Sequence, residues 1–196
     1  SAYPGCRESR KILTLDMKGD CIMTERTKSM LSLLKKREYR RMRETQQIDI
    51  IEAMKGLNEY EAITFRLKAA LENEDPVIHE NDIFGFNRSQ TYLPKYEVPG
   101  YIGNMTPNYG GTIKRGFRSV LDEVEEKLVN AEGETRDFYV AVKEEVEAVL
   151  ALCARYQEAA EKQGNVQLSQ ALKRVPEYGA TSLYEACLFQ KIIIFA

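Results

Sequence analysis

The stretch Thr135–Gly164, TRDFYVAVKEEVEAVLALCARYQEAAEKQG, decides the fold class. Its apolar residues Phe138, Val142, Val146, Val149, Leu150, Cys153 and Tyr156 recur three or four positions apart, the period of one helical face. No proline interrupts the run, and Gly164 supplies a C-terminal stop. One long helix is therefore predicted, with Thr135 as its N-cap and Gly133 separating it from what precedes.

The same period extends outward in both directions. Upstream, Ile113, Phe117, Val120, Leu121, Val124 and Leu128 predict a single helix. Downstream, Asn165 opens a short helix through Leu168 and Leu172 that stops before Val175-Pro176. Ser182 and Glu185 then form a capping box that starts Leu183–Phe189, which runs into Ile192-Ile193-Ile194-Phe195. Nearer the N-terminus, Thr24 caps a helical pattern through Met30, Leu33 and Leu34. That pattern turns basic from Lys35 to Arg43 and resumes an apolar face at Ile48, Ile51 and Met54, up to a C-cap at Gly56. Asn58 with Glu61 starts a further helix whose buried face is Tyr60, Ile63, Leu67, Ala70 and Leu71. Val77-Ile78 and Asp82–Phe86 read as short extended pieces, and Asn87–Pro107 as a long irregular region rich in tyrosine and proline. The expected fold class is mainly α, a helical domain with short extended segments and a long irregular aromatic region. Residues 1–23 form an N-terminal arm, and residues 24–196 the helical domain.

Composition narrows the function. A chain of 196 residues with 43% hydrophobic and 30% charged residues has enough apolar content for a core. A net charge of −2 lacks the strongly basic footprint of a nucleic-acid binder, and no apolar run reaches the roughly 20 residues that span a bilayer. No nucleic acid and no membrane are therefore expected as partners. Cys6, Cys21, Cys153 and Cys187 are dispersed, with no C-x-x-C pair, which reads as reduced thiols in a cytoplasmic protein rather than a disulfide or zinc framework.

No catalytic set or metal site is expected. His79 is the single histidine, and its neighbours Glu80 and Asp82 alternate faces in an extended segment rather than converging. Gly110-Gly111-Thr112 and Gly116 lack the P-loop spacing, because Lys114-Arg115 fall in the wrong place. The cations from Lys35 to Arg43 could meet an anionic ligand, but together with the acidic stretch Asp122–Glu147 they more simply face solvent or each other. The apolar residues Ile192–Phe195 call for burial, roughly 1.5–3 kcal/mol per large side chain. Either the final helix docks into this domain's own core, or the chain is the front piece of a longer protein.

The order of several short motifs resembles the N-terminal part of glycyl radical enzymes of the pyruvate formate-lyase type. Thr24-Glu25-Arg26 is similar to the family's T-E-R helix, and Phe65-Arg66-Leu67-Lys68-Ala69-Ala70-Leu71 to its R-x-A-K-A helix. Glu80-Asn81-Asp82-Ile83-Phe84-Gly85-Phe86-Asn87-Arg88 follows in place of E-N-E-L-I-V-G-N, and Tyr92-Leu93-Pro94-Lys95-Tyr96 looks like F-P-E-Y. Gly103–Tyr109 resembles G-H-x-x-P-D-Y, with Asn104 where the family has His and Asn108 where it has Asp, and Gly110-Gly111 interrupting the helix start. Val175-Pro176 and Thr181–Phe189 resemble the P-A-x-T-F-x-E-A-L-Q helix.

The resemblance implies the helical portion that packs around a glycyl radical enzyme α/β barrel. It also implies a lyase or dehydratase parent that is cytoplasmic, anaerobic and homodimeric, with a glycyl radical installed by a radical S-adenosylmethionine activating enzyme. Asn104 and Asn108 become the candidate substrate-binding positions. The family's catalytic Cys and radical Gly loops have no counterpart in this sequence, so the chain alone is expected to be inactive and to need the remainder of the parent enzyme. The rival reading is a stand-alone helical interaction or regulatory module, docking through the apolar C-terminal helix or the aromatic irregular region.

Overall fold

A computed structural model describes residues 23–36, 44–46, 50, 52–79, 82–86, 90–92 and 108–195. The chain falls into two units, Ser1–Met42 and Arg43–Ala196. In the first, α1 (Glu25–Lys36) begins where Thr24 Oγ1 accepts from Thr27 N at 3.2 Å, the cap that the sequence predicts. Glu25 pairs with Lys28 at 2.7 Å on its exposed side. Of the basic run, Lys35 and Lys36 close α1, and residues 37–43 lie outside the described residues.

The second unit starts with β1 (Glu44–Gln46), then α2 (Glu59–Glu72), β2 (Gln90–Tyr92), α3 (Tyr109–Arg115) and α4 (Phe117–Leu128). It ends with the long α5 (Gly133–Lys162), α6 (Val166–Leu172) and α7 (Leu183–Phe195). The fold is mainly α, as the apolar period predicts. Two details depart from the expected pattern. Residues 52–56 form turns rather than helix, with Ile50 buried ahead of them. Gln90–Tyr92, inside the region read as irregular, pairs in parallel with Glu44–Gln46, Thr45 facing Thr91. β pairing of two distant three-residue segments leaves no periodic trace in sequence.

Capping chemistry explains most helix starts. Asn58 forms a full capping box with Glu61: Glu61 N donates to Asn58 Oδ1, and Asn58 N to Glu61 Oε2, both at 2.9 Å. Asn165 Oδ1 accepts from Leu168 N at 3.2 Å at the start of α6. At α7, Glu185 N donates to Ser182 Oγ at 3.2 Å, while Glu185 Oε2 reaches back to Thr181 N at 2.6 Å and Thr181 Oγ1 at 2.8 Å. α5 departs from expectation. It starts at Gly133 with Glu132 as its N-cap residue, three positions before the expected cap, so Thr135 lies inside the first turn.

α5 is the central strut and packs against α2, α4 and α6. Its buried residues are Ala141, Val149, Leu152, Cys153, Tyr156 and Ala160. The predicted face holds at Val149, Cys153 and Tyr156. Val142, Val146 and Leu150 are only half-buried, because flanking helices cover α5 along a stripe rotated toward Leu152. Phe138 is 44% exposed and meets Tyr60 edge-on at 5.8 Å. On α2 the buried positions are Thr64 and Leu71, whereas Ile63 is 42% exposed. The Thr64 hydroxyl is tolerated inside because it donates to Glu145 Oε1 at 3.2 Å.

The core joins Leu71, Phe86, Val149, Leu152, Tyr156, Leu168, Val175, Leu188, Phe189 and Ile192, each adding about 1.5–3 kcal/mol for a large side chain. Phe86 stacks on Tyr156 at 4.1 Å, which draws the 82–86 segment into the bundle. Arg155 closes the other end of α2 by donating to the Leu71 and Glu72 carbonyls of its last turn and to the Glu74 carbonyl just beyond it. Within the acidic stretch, Glu125 pairs with Lys143 at 2.8 Å and Glu144 with Lys68 at 3.1 Å.

Candidate functional site

The candidate binding residues meet different fates. Asn104 lies outside the described residues. Asn108 is the N-cap of α3, its Oδ1 accepting from Gly111 N at 3.0 Å and its carbonyl accepting from Thr112 N at 3.1 Å. Gly110 and Gly111 therefore lie within the first turn of α3 and do not interrupt it. The expected single helix over Ile113–Leu128 is in fact two, broken at Gly116, whose φ of 85° leaves the helical region.

That break builds a backbone clasp. α4 has no side-chain cap; instead Phe117 N donates to Pro176 O at 2.9 Å and Arg118 N to Glu177 O at 2.8 Å. Two of the four open amides at the α4 start are thereby paired by a segment 59 residues away. Ala180 N donates back to Ile113 O at 2.9 Å, and Arg174 Nε to Gly179 O at 2.9 Å. Arg118 pairs with Glu177, and that bond raises the guanidinium pKa above its ordinary value. Side chains would not fit at the crossing: a Cβ on Gly116 would lie 2.5 Å from Glu177 O, and one on Gly179 would run into Lys114 O. The clasp holds the C-terminal end of α3 against the start of α4 and the loop that leads into α7.

Beside it, Asp82 and α7 form a second polar cluster. Asp82 Oδ1 accepts from Phe84 N at 3.0 Å, and its Oδ2 from Lys191 Nζ at 3.1 Å. Both partners of this pair are mostly buried, at 22% and 17% exposure. Tyr184 packs on Phe84 at 5.4 Å, and burial, followed by the Asp82 charge, raises its phenol pKa.

The cysteines divide by environment. Cys153 is buried, and burial pushes its thiol pKa up, so it stays protonated and unreactive at neutral pH. Cys187 is half-buried on α7, and Cys6 and Cys21 lie outside the described residues. His79 is half-buried, with its carbonyl accepting from Asp82 N at 3.0 Å. Among the described residues no group of three or more His, Cys, Asp or Glu converges on a point where a metal would sit. No described helix is long and apolar enough to cross a membrane. A cleft of about 270 Å³ between α2 and α5, lined by Leu57, Phe65, Asp137 and Glu144 among others, is separate from Asn108. Sequence reasoning did not single out Gly179, Arg155 or the Asp82–Lys191 pair as positioning groups. Their roles depend on partners 65 to 109 residues away, so no local signal marks them.

The family follows from the stretch that contains the clasp and α7. Residues 86–195 match the family described as pyruvate formate lyase-like. The chain belongs to that family. Among solved structures, one described under 1,2-propanediol dehydration in Roseburia inulinivorans is similar over 88% of this chain, with a TM-score of 0.68 and 15% identity. The likeness is one of fold. This pyruvate formate lyase-like chain spans about a third of that relative, 32% of its length. No curated protein matches the chain. The resemblance read from ordered short motifs and the mainly helical fold therefore agree with both comparisons.

Proposed function

We propose that the chain is the N-terminal helical portion of a glycyl radical lyase or dehydratase, inactive until joined to the rest of that enzyme. The observation that carries the reading is the family match across Phe86–Phe195, the span that holds α3 to α7, on a fold like that of a protein of 1,2-propanediol dehydration. The catalytic thiol and the radical glycine belong to the remaining polypeptide, and a radical S-adenosylmethionine enzyme installs the radical. The setting is cytoplasmic and anaerobic, and the assembled enzyme is a homodimer. Here the helical portion scaffolds one wall of the substrate pocket: the clasp fixes α3, and Asn104 and Asn108 offer amide groups toward a polyol or related small substrate.

Anaerobic incubation with a radical-installing enzyme and reductant, followed by electron paramagnetic resonance, tests this. The chain alone is expected to show no glycyl radical signal and no turnover of 1,2-propanediol, and the signal is expected once the downstream polypeptide is co-expressed. Turnover by the chain alone would overturn the proposal.

A further inference from the structure

We infer that α1 is a surface anchor for anionic lipid: its apolar face enters the headgroup region while its lysines and the basic run behind it meet the lipid phosphates. The chain-wide net charge of −2 conceals a sharp division between the two units. Residues 1–42 hold 11 Lys or Arg against 5 Asp or Glu, a net +6, and residues 43–196 hold 17 against 25, a net −8. A cationic excess confined to one short unit calls for an anionic partner of that unit.

α1, ERTKSMLSLLKK, has two faces. Met30, Leu33 and Leu34 lie three and four positions apart on one, with Leu31 at its border, and Lys28, Ser32, Lys35 and Lys36 occupy the other. No residue of this helix is buried, and Met30 is 47% and Leu34 56% exposed. Lys35 and Lys36 stand at the two edges of the apolar face, where long stems keep the ammonium groups at headgroup level as the leucines sink. Glu25 is the one acid of α1, and it pairs with Lys28 at 2.7 Å. Arg37, Arg40, Arg41 and Arg43 follow in sequence and extend the positive charge.

The two faces together select the partner. Nucleic acid answers the cations and leaves Met30, Leu33 and Leu34 in water. A protein hot spot favours aromatic anchors, and α1 has none. An anionic bilayer surface answers both the charge and the aliphatic face. With 12 residues α1 is about 18 Å long, too short for a hydrocarbon core of roughly 30 Å, so it lies in the plane of the surface. The lipid contact is independent of the reaction proposed above.

Sedimentation of the whole chain with vesicles tests this. Equimolar phosphatidylglycerol and phosphatidylcholine is expected to bind the chain about tenfold more tightly than phosphatidylcholine alone. Leu33→Gln/Leu34→Gln, which leaves every charge in place, is expected to weaken that binding about tenfold. Lys35→Glu/Lys36→Glu is expected to abolish the preference for anionic vesicles, with the melting temperature of both variants unchanged. No binding to the anionic vesicles, or equal binding to the neutral ones, overturns the inference. Undiminished binding by the leucine variant also overturns it, since the cations then act alone and any polyanion, nucleic acid included, is an equal partner.

Discussion

At the scale of single residues, Gly116 carries the sharpest constraint. Its φ of 85° disfavours any L side chain, and a Cβ would press on the Glu177 carbonyl that completes the clasp. Gly116→Ala is expected to destabilise the chain by roughly 2–4 kcal/mol, read as a lower denaturation midpoint at constant m-value. A cost near zero would mean that the α3–α4 break is not held by backbone contact. Cys153 gives a second test at this scale. Buried and with a raised thiol pKa, it is expected to resist alkylation in native buffer and to react only after denaturant is added, whereas half-buried Cys187 reacts in the folded chain. Mass mapping of the labelled peptides distinguishes the two.

At the scale of elements, helix starts set much of the pattern. Asn58→Ala removes the side-chain half of the Asn58–Glu61 box and the 3.1 Å bond from Asn58 Nδ2 to Asp137 Oδ2, and should cost about 1–2 kcal/mol. Thermal unfolding of the variant measures it. At α7, burial opposes ionisation of Glu185, but bonds from the Thr181 amide and hydroxyl and from the Ser182 backbone outweigh it and lower its pKa. A lowered carboxylate pKa means that the unfolded chain takes up the proton first on acidification. The Glu185 contribution is therefore fully present above its unfolded pKa and lost as pH falls through the folded value. Between about pH 5 and pH 3 the wild type should lose stability more steeply than Glu185→Gln. Parallel curves for the two proteins would show that the cap carries no net charge effect. The elements themselves were largely legible in sequence. Asn58, Asn165 and the Ser182–Glu185 pair mark their helices because a cap and its amide lie three residues apart, inside any reading window. The break at Gly116 was not legible, because Ile113 and Phe117 keep helical spacing across it and only the Pro176 and Glu177 carbonyls reveal why the chain turns.

At the scale of the second unit, α5 and the core around Tyr156 tie α2, α6 and α7 to the 82–86 segment. Phe86→Ala empties the stack on Tyr156 and is expected to cost about 3–5 kcal/mol, measurable by urea denaturation. A smaller loss would mean that the 82–86 segment collapses into the space. The candidate site was legible only in part. The position of Asn108 near a helix start was visible, and its bond to Gly111 is as local as the other caps, but the clasp was not legible, since it follows from contacts between distant segments.

By itself the sequence determined the helical class, four of the caps and the family resemblance, because periodicity, capping and ordered motifs are local or additive along the chain. Only the tertiary structure decided which face of α5 is buried, where the 109–128 region breaks, and how Asp82 is held by Lys191. The same holds for α7, whose predominantly apolar sequence predicts burial without saying on which side. Packing alone separates Leu188, Phe189 and Ile192, enclosed by this unit, from Leu183 and Ile194, left facing outward. The physical reason is that burial depends on which surfaces meet in space, a quantity that spacing along one element does not contain.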